Sequence, residues 1–295
     1  MEAFDYATAF SRNIGWVTPE EQETLRRTSV AIGGLGGVGG VHAMTLARLG
    51  VSRFHLADFD TFSQANMNRQ AGAFVSTLGR PKADVIAAMV RDVNPDAEVR
   101  LFPRGVLEDN VSDFFDGVDV YVDGIDYFAV PARRLIFRVA AERRIPAVTA
   151  APLGMGTAVL TFMPGGMTFE EYFRLDGQPE LEQLIRFLIG LSPRMLQRSY
   201  LAWPQAVDLP GRRGPSTPMA CELCAGVLVT QVLKIVLGRG HILSAPWGLQ
   251  IDAYRNKMVR TWRPWGNANP IQRVALWIAR RQLAAMHRNG RAVPR

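Results

Sequence analysis

Cysteine is nearly absent from this 295-residue chain: Cys221 and Cys224, in the string PMACELCAG, are the only two. Two thiols exclude a disulfide framework and a four-thiolate zinc site within one chain, so no structural zinc is expected. Lysine is almost as scarce, with three against 31 arginines, so each Lys position invites a reason of its own. No stretch of 18 uninterrupted apolar residues occurs, and Met1 to Phe10 lacks the basic start and apolar segment of a secretory leader. Neither a membrane span nor export is therefore expected, and a cytoplasmic chain is. Acidic residues vanish from the C-terminal part. Ala253 to Arg295 holds ten Lys and Arg and no Asp or Glu, whereas the first 252 residues carry the other 24 against all 27 acids, a net of −3. The overall charge of +7 thus belongs to the tail; a solvated basic face is its plainest use, and nucleic-acid contact is not expected.

What is present alternates between two periods. TSVAIGG, SRFHLADFD, AEVRLFP, VDVYVDG, IPAVTAA and GTAVLTFM have the β-branched, apolar character of strands. Between them lie helical patterns near 38–50, 81–94 and 129–143, and a capped helix start at Thr18-Pro-Glu-Glu21. Such alternation predicts an α/β fold of Rossmann-like type, with a mixed, mainly parallel sheet and helices on both faces. We expect a nucleotide-binding core over 1–163, a variable helical and loop insertion over 164–218, a return to the core over 219–265, and a basic tail helix over 266–295. That last helix sets Ile271, Val274, Ile278, Gln282 and Met286 along one face and Arg273, Arg280, Arg281 and Arg288 mostly off it.

Chemistry gathers at the ends of the predicted strands. Gly34, Gly36 and Gly39, with Gly37 between them, spell GxGxxG after the first strand and before a helix, a turn whose backbone N–H groups and positive helix end suit phosphates. Asp58 ends the next strand, placed for ribose hydroxyls. These features point to a nucleotide without saying which, since NAD- and FAD-dependent enzymes use the same turn. The discrimination lies in Asp58-Phe-Asp60, Asn66-Met-Asn-Arg69-Gln70, Gly79-Arg-Pro-Lys82 and Asn94-Pro95.

Those four motifs, in that order, resemble the ThiF, MoeB and HesA family and the adenylation domains of ubiquitin-activating enzymes. The resemblance implies ATP as cofactor and formation of an acyl-adenylate on a carboxylate, in particular a peptide or ubiquitin-like C-terminus. Such a site must hold a triphosphate and neutralise charge at its α-phosphorus, for which Arg69 and Lys82 are suitable cations and Asn66 a neutral donor. A Lys kept at position 82 in so arginine-rich a chain suggests a compact ammonium is required there. In the family the strand after the crossover ends in D-x-x-D-N, whose second Asp is implied to hold catalytic Mg²⁺; here that is Asp126, with Asp123 as a loop brace. Phe10-Ser-Arg12-Asn-Ile is similar to a segment whose arginine is implied to reach a partner's triphosphate across a homodimer, which makes Arg12 the candidate.

The chain also departs from the pattern. Tyr127 stands where the family has Asn, two residues are inserted before Arg133, the zinc-binding half-motif is missing, and Cys221 is one residue out of step with the family's sulfur-carrying Cys. A position at a helix start would lower the pKa of Cys221 and make it a reactive thiol; the competing reading is a small buried core residue. Tyr127 and the weakened Arg12 segment also leave open a non-catalytic subunit, and the glycine turn alone leaves open an NAD-dependent oxidoreductase.

Overall fold

Short β-branched runs build the sheet that positions everything else. A computed structural model describes residues 3–208 and 211–290, with side chains through Leu283. Its strands are β1 (Ser29–Gly33), β2 (Arg53–Ala57), β3 (Glu98–Phe102), β4 (Val120–Asp123), β5 (Ala147–Leu153), β6 (Gly156–Phe162), β7 (Trp247–Asp252) and β8 (Lys257–Trp262). They form one sheet in the order β3-β2-β1-β4-β5-β6-β7-β8. The first five positions pair in parallel, and β6, β7 and β8 are added antiparallel. Register matters for function. Gly33 at the end of β1 lies beside both Ala57 of β2 and Asp123 of β4, so the loops leaving three strands open on one edge.

The helices are α1 (Tyr6–Ala9), α2 (Pro19–Arg27), α3 (Gly39–Arg48), α4 (Lys82–Val93), α5 (Val111–Phe114), α6 (Val130–Glu142), α7 (Phe169–Phe173), α8 (Glu180–Leu191), α9 (Pro218–Leu237) and α10 (Pro270–Gly290). Alternation along β1 sends Val30 and Ile32 into a core under α3, α4 and α9, and Ala31 into a second core under α5 to α8. Both sheet faces are thus covered, as the alternating sequence predicts. Thr18 caps α2 as expected: its hydroxyl accepts from Glu21 N while Glu21 accepts from Thr18 N. Although α9 is long and apolar enough to cross a bilayer by length and composition, it lies against β5, β6 and α3 as a core helix.

The insertion shares the core: Phe169, Tyr172, Phe173 and Phe187 of α7 and α8 enter the second core, with Phe169 stacked on Phe137 of α6 at 4.5 Å. On α10 the stripe of Ile271, Val274 and Ile278 faces solvent, with Ile271 62% exposed. Gln272 and Leu276 turn inward instead, Leu276 packing on Ile185 and Ile189 of α8. The side chains of Met286 and Arg288 lie outside the described residues.

Candidate active site

The glycine turn is built by backbone-to-backbone contact. Gly34 has φ +80°, and a Cβ on Gly39 would collide with the Gly34 carbonyl. A Cβ on Gly124, just past β4, would run into Gly34 O and lie 2.7 Å from Gly39 Cα. Sequence reasoning missed Gly124, although a glycine directly after the Asp that ends β4 was the available signal. Gly36 is less crowded, since its Cβ would meet only Gln70, 3.6 Å from Nε2. Gln70 is buried with its Oε1 unpartnered.

Asp58 accepts from two backbone groups. Its Oδ2 accepts the Leu35 N–H at 2.6 Å and its Oδ1 the Asp60 N–H at 2.8 Å, so it braces the turn. Burial lifts its carboxyl above the usual range, while those two N–H groups pull it back down. A carboxylate has further lone pairs, so ribose contact stays open. Asp60 takes Lys82: its carbonyl accepts the Lys82 N–H, and its Oδ2 lies 2.9 Å from Nζ. Asn66 caps the short turn after Ser63 through Oδ1, and no described contact uses its NH₂. Arg69 donates to Ala65 O and Asn68 Oδ1, with its Nε 3.5 Å from where a Cβ on Gly37 would stand. Asn68 reaches Ser216 O and so ties this segment to the loop before α9.

The loop after β4 holds the two aspartates in unlike settings. Asp123 is 2% exposed and accepts from Arg133 Nε at 2.8 Å, Thr149 Oγ1 at 2.7 Å and Ile125 N at 3.1 Å. That is a brace with no room for a ligand. Asp126 is exposed and accepts the Phe128 N–H at Oδ1, its Oδ2 having no hydrogen bond among the described residues. Among the described residues no group of three or more His, Cys, Asp and Glu stands close enough to hold a metal. A lone exposed carboxylate beside a phosphate site still fits magnesium, which takes one or two carboxylates and fills its octahedron with phosphate oxygens and water. Arg133, the counterpart of the family's following Arg, is 3% exposed and fully engaged within the loop.

Cys221 needs correction in its chemistry. It is fully buried in the first turns of α9, with Sγ 3.3 Å from where a Cβ on Gly37 would stand and 3.9 Å from Ser216 Oγ. Burial raises its pKa, and Ser216 and Arg69 offset this only in part. Desolvation favours the neutral thiol over the thiolate. Cys224 is pushed up further, bonded to Thr157. Arg12 is not brought to the site within the chain. Neighbouring Asn13 donates to Leu49 O at the far end of α3, and one 10-residue helix separates that point from the glycine turn by roughly 15 Å. A groove of about 990 Å³ lined by Thr28, Asp119 and Pro146 opens at the opposite edge, where β1, β4 and β5 begin, and is not this site.

Gly34–Gly39, Asp58–Lys82 and the Gly124–Asp126 loop therefore surround one crevice at the carboxyl ends of β1, β2 and β4, where the strand order reverses. Open α/β sheets bind their ligands there. A stretch of 118 residues is 42% identical to tRNA threonylcarbamoyladenosine dehydratase of Bacillus subtilis (strain 168), covering 40% of this chain and 46% of that protein. A stretch of 159 residues is 27% identical to molybdopterin-synthase adenylyltransferase of Haemophilus influenzae, covering 53% and 65%. The chain thus spans less than two thirds of the length of each of these two curated relatives. E. coli MccB, solved with ATP, shares the fold at TM-score 0.65 and 18% identity, covering 86% of this chain and 70% of that one. The pattern of the ThiF family matches residues 10–274, and the chain belongs to that family.

Proposed function

We propose that the chain is an ATP-dependent adenylyltransferase that activates a carboxylate, at a peptide or small-protein C-terminus, as an acyl-adenylate with release of pyrophosphate. What supports this reading is the glycine turn with Arg69 beside Gly37, the Asp60-held Lys82, and the loop that carries the exposed Asp126 packed against Gly34. An NAD-dependent reaction has no use for that cation set. ATP lies over the turn with its ribose toward Asp58; Arg69 and Lys82 neutralise the phosphates as a carboxylate oxygen attacks the α-phosphorus, and Asn66 donates from its open NH₂. Magnesium on Asp126 supplies further neutralisation of the triphosphate when bound.

A homodimer completes the site in this reading, since Arg12 is too far from its own crevice. Support comes from an uncovered surface. On β7 and β8 the side chains of Gln250, Asp252 and Thr261 are buried, whereas Trp247, Met258 and Trp262 on the other face are 41–63% exposed. A sheet face of that composition suits a second copy. The free, buried thiols of Cys221 and Cys224 fit a cytoplasmic setting.

Exchange of labelled pyrophosphate into ATP, stimulated by a peptide with a free C-terminus and not by its amide, is the expected signature. Arg69→Ala and Asp126→Ala should each abolish it. Wild-type exchange in both variants overturns the assignment.

A further inference from the structure

The loop after β4 is fastened to the insertion by side chains that ATP binding does not itself require. Tyr127 donates its hydroxyl to the Leu184 carbonyl of α8 at 2.6 Å. Its ring lies 5.7 Å from that of Phe187, also on α8. The Arg133 guanidinium sits over the same Phe187 ring at 4.5 Å while donating to Asp123, the Asp126 carbonyl and the Ile125 carbonyl. Thus the residues before and after Asp126, and its own carbonyl, are all held directly or through one ring against α8. The helix is itself anchored. Glu182 pairs with Arg186 and with Arg280 of α10, a helix that runs past the end of the family match at residue 274.

We propose that α8 sets the position of the Asp126 carboxylate through Tyr127, so that Tyr127 is a positioning residue linking the variable insertion to the metal end of the nucleotide site. This rests on the reading of Asp126 as the magnesium-binding carboxylate. The Asp126 side chain has only the Phe128 N–H to orient it, so its direction follows the path of residues 124–128. Tyr127 is the one member of that loop whose side chain hydrogen-bonds to α8 among the described residues. A peptide that shifts α8 would then change how well the triphosphate is charged with metal, which couples acceptor occupancy to readiness for adenylation.

The test uses the full chain and Tyr127→Phe, which keeps the ring and its packing but removes the hydroxyl. Mg²⁺ is titrated by calorimetry at fixed concentration of a non-hydrolysable ATP analogue, and hydrogen exchange of residues 124–129 is followed in the nucleotide-free protein. The expected result is a rise of about fivefold in the Mg²⁺ concentration at half-saturation, on the scale of one neutral hydrogen bond. Metal-free analogue affinity should stay within about twofold, and exchange of 124–129 should quicken. Unchanged Mg²⁺ dependence with unchanged exchange overturns the proposal, as does an equal loss of metal-free affinity, which marks general loosening. Asp126→Asn separates this failure from that of the underlying reading. If that variant still binds the analogue with wild-type Mg²⁺ dependence, Asp126 is not the metal carboxylate and the positioning role falls with it.

Discussion

Lys82 Nζ lies 2.9 Å from Asp60 Oδ2, with the lysine side chain 7% exposed and the aspartate 54%. A nearly buried ammonium needs a counter-charge, and without nucleotide Asp60 supplies it. When a triphosphate arrives, its oxygens offer Lys82 a second partner. Asp60→Asn should therefore lower the melting temperature of the free protein, by about 1–3 kcal/mol of stability for a half-exposed pair, and lose most of that deficit at saturating ATP. Differential scanning fluorimetry with and without ATP checks it; an equal deficit in both conditions would show that Lys82 never turns to the phosphates.

The glycines of the turn should separate into two kinds. At Gly39 and Gly124 a methyl group meets rigid backbone of Gly34, so Gly39→Ala and Gly124→Ala should fail to fold or lose several kcal/mol. At Gly36 the same methyl group meets only the flexible Gln70 amide at ordinary contact distance. Gly36→Ala should fold with near-wild-type circular dichroism yet bind ATP more weakly, roughly tenfold or more, because the added carbon stands where phosphate approaches backbone N–H groups. Wild-type ATP affinity in Gly36→Ala would move the nucleotide off the turn.

Much of the fold was legible because its signals are local. β1 alternates Val30 and Ile32 against Ala31, Gly34 and Gly39 bracket a turn only glycine can make, and Thr18 with Glu21 writes a capping box into four residues. The failures are contacts between residues far apart in sequence. Nothing near Tyr127 announces Leu184, 57 residues on, and nothing in PMACELCAG shows that Gly37 will pack against Cys221 and bury its thiol. On α10 an apolar stripe exists on both sides of the helix, and periodicity cannot tell which one meets α8. Asp58 illustrates the remaining limit. Its place at the end of β2 was readable, but its bonds to Leu35 N and Asp60 N depend on how two loops fold together.

His42, on α3 three residues past Gly39, is fully buried with neither ring nitrogen bonded, and burial lowers its pKa from 6.5 to about 3. The folded protein thus refuses a proton that the unfolded chain accepts. Above pH 6.5 neither state binds it and there is no effect; as pH falls from 6.5 toward 3 only the unfolded state gains the proton, so stability declines. By pH 5 the loss is about 2 kcal/mol from this group. His42→Leu should flatten that part of the curve of denaturant stability against pH between 5 and 7. A variant with the same acid sensitivity as wild type would assign it to other groups.

Cys221 offers a direct check on the burial argument. With its pKa raised and its sulfur covered by Gly37, the thiol should react with iodoacetamide at pH 7.5 more than tenfold slower than free cysteine, and faster once urea unfolds the chain. Cys221→Ala should leave pyrophosphate exchange within about twofold. Rapid alkylation of the native protein would mean the loop carrying Ser216 opens and exposes a reactive thiol.

Arg12 provides the sharpest division between a site made by one chain and a site shared by two. If its guanidinium serves a partner's triphosphate, Arg12→Ala and Lys82→Ala should each be inactive alone, yet regain activity when the two are unfolded together and refolded as a mixture. In a mixed dimer, one crevice draws Lys82 from the first variant and Arg12 from the second and is whole, while the other lacks both. Random pairing across a two-fold axis makes roughly a quarter of all crevices whole, so pyrophosphate exchange should return to that fraction of wild type. No recovery, with mixed dimers confirmed by native mass spectrometry, would show that Arg12 acts on its own chain or not at all. Its neighbour Asn13 is held on Leu49 O, at the far end of α3 from the glycine turn, which argues against the former.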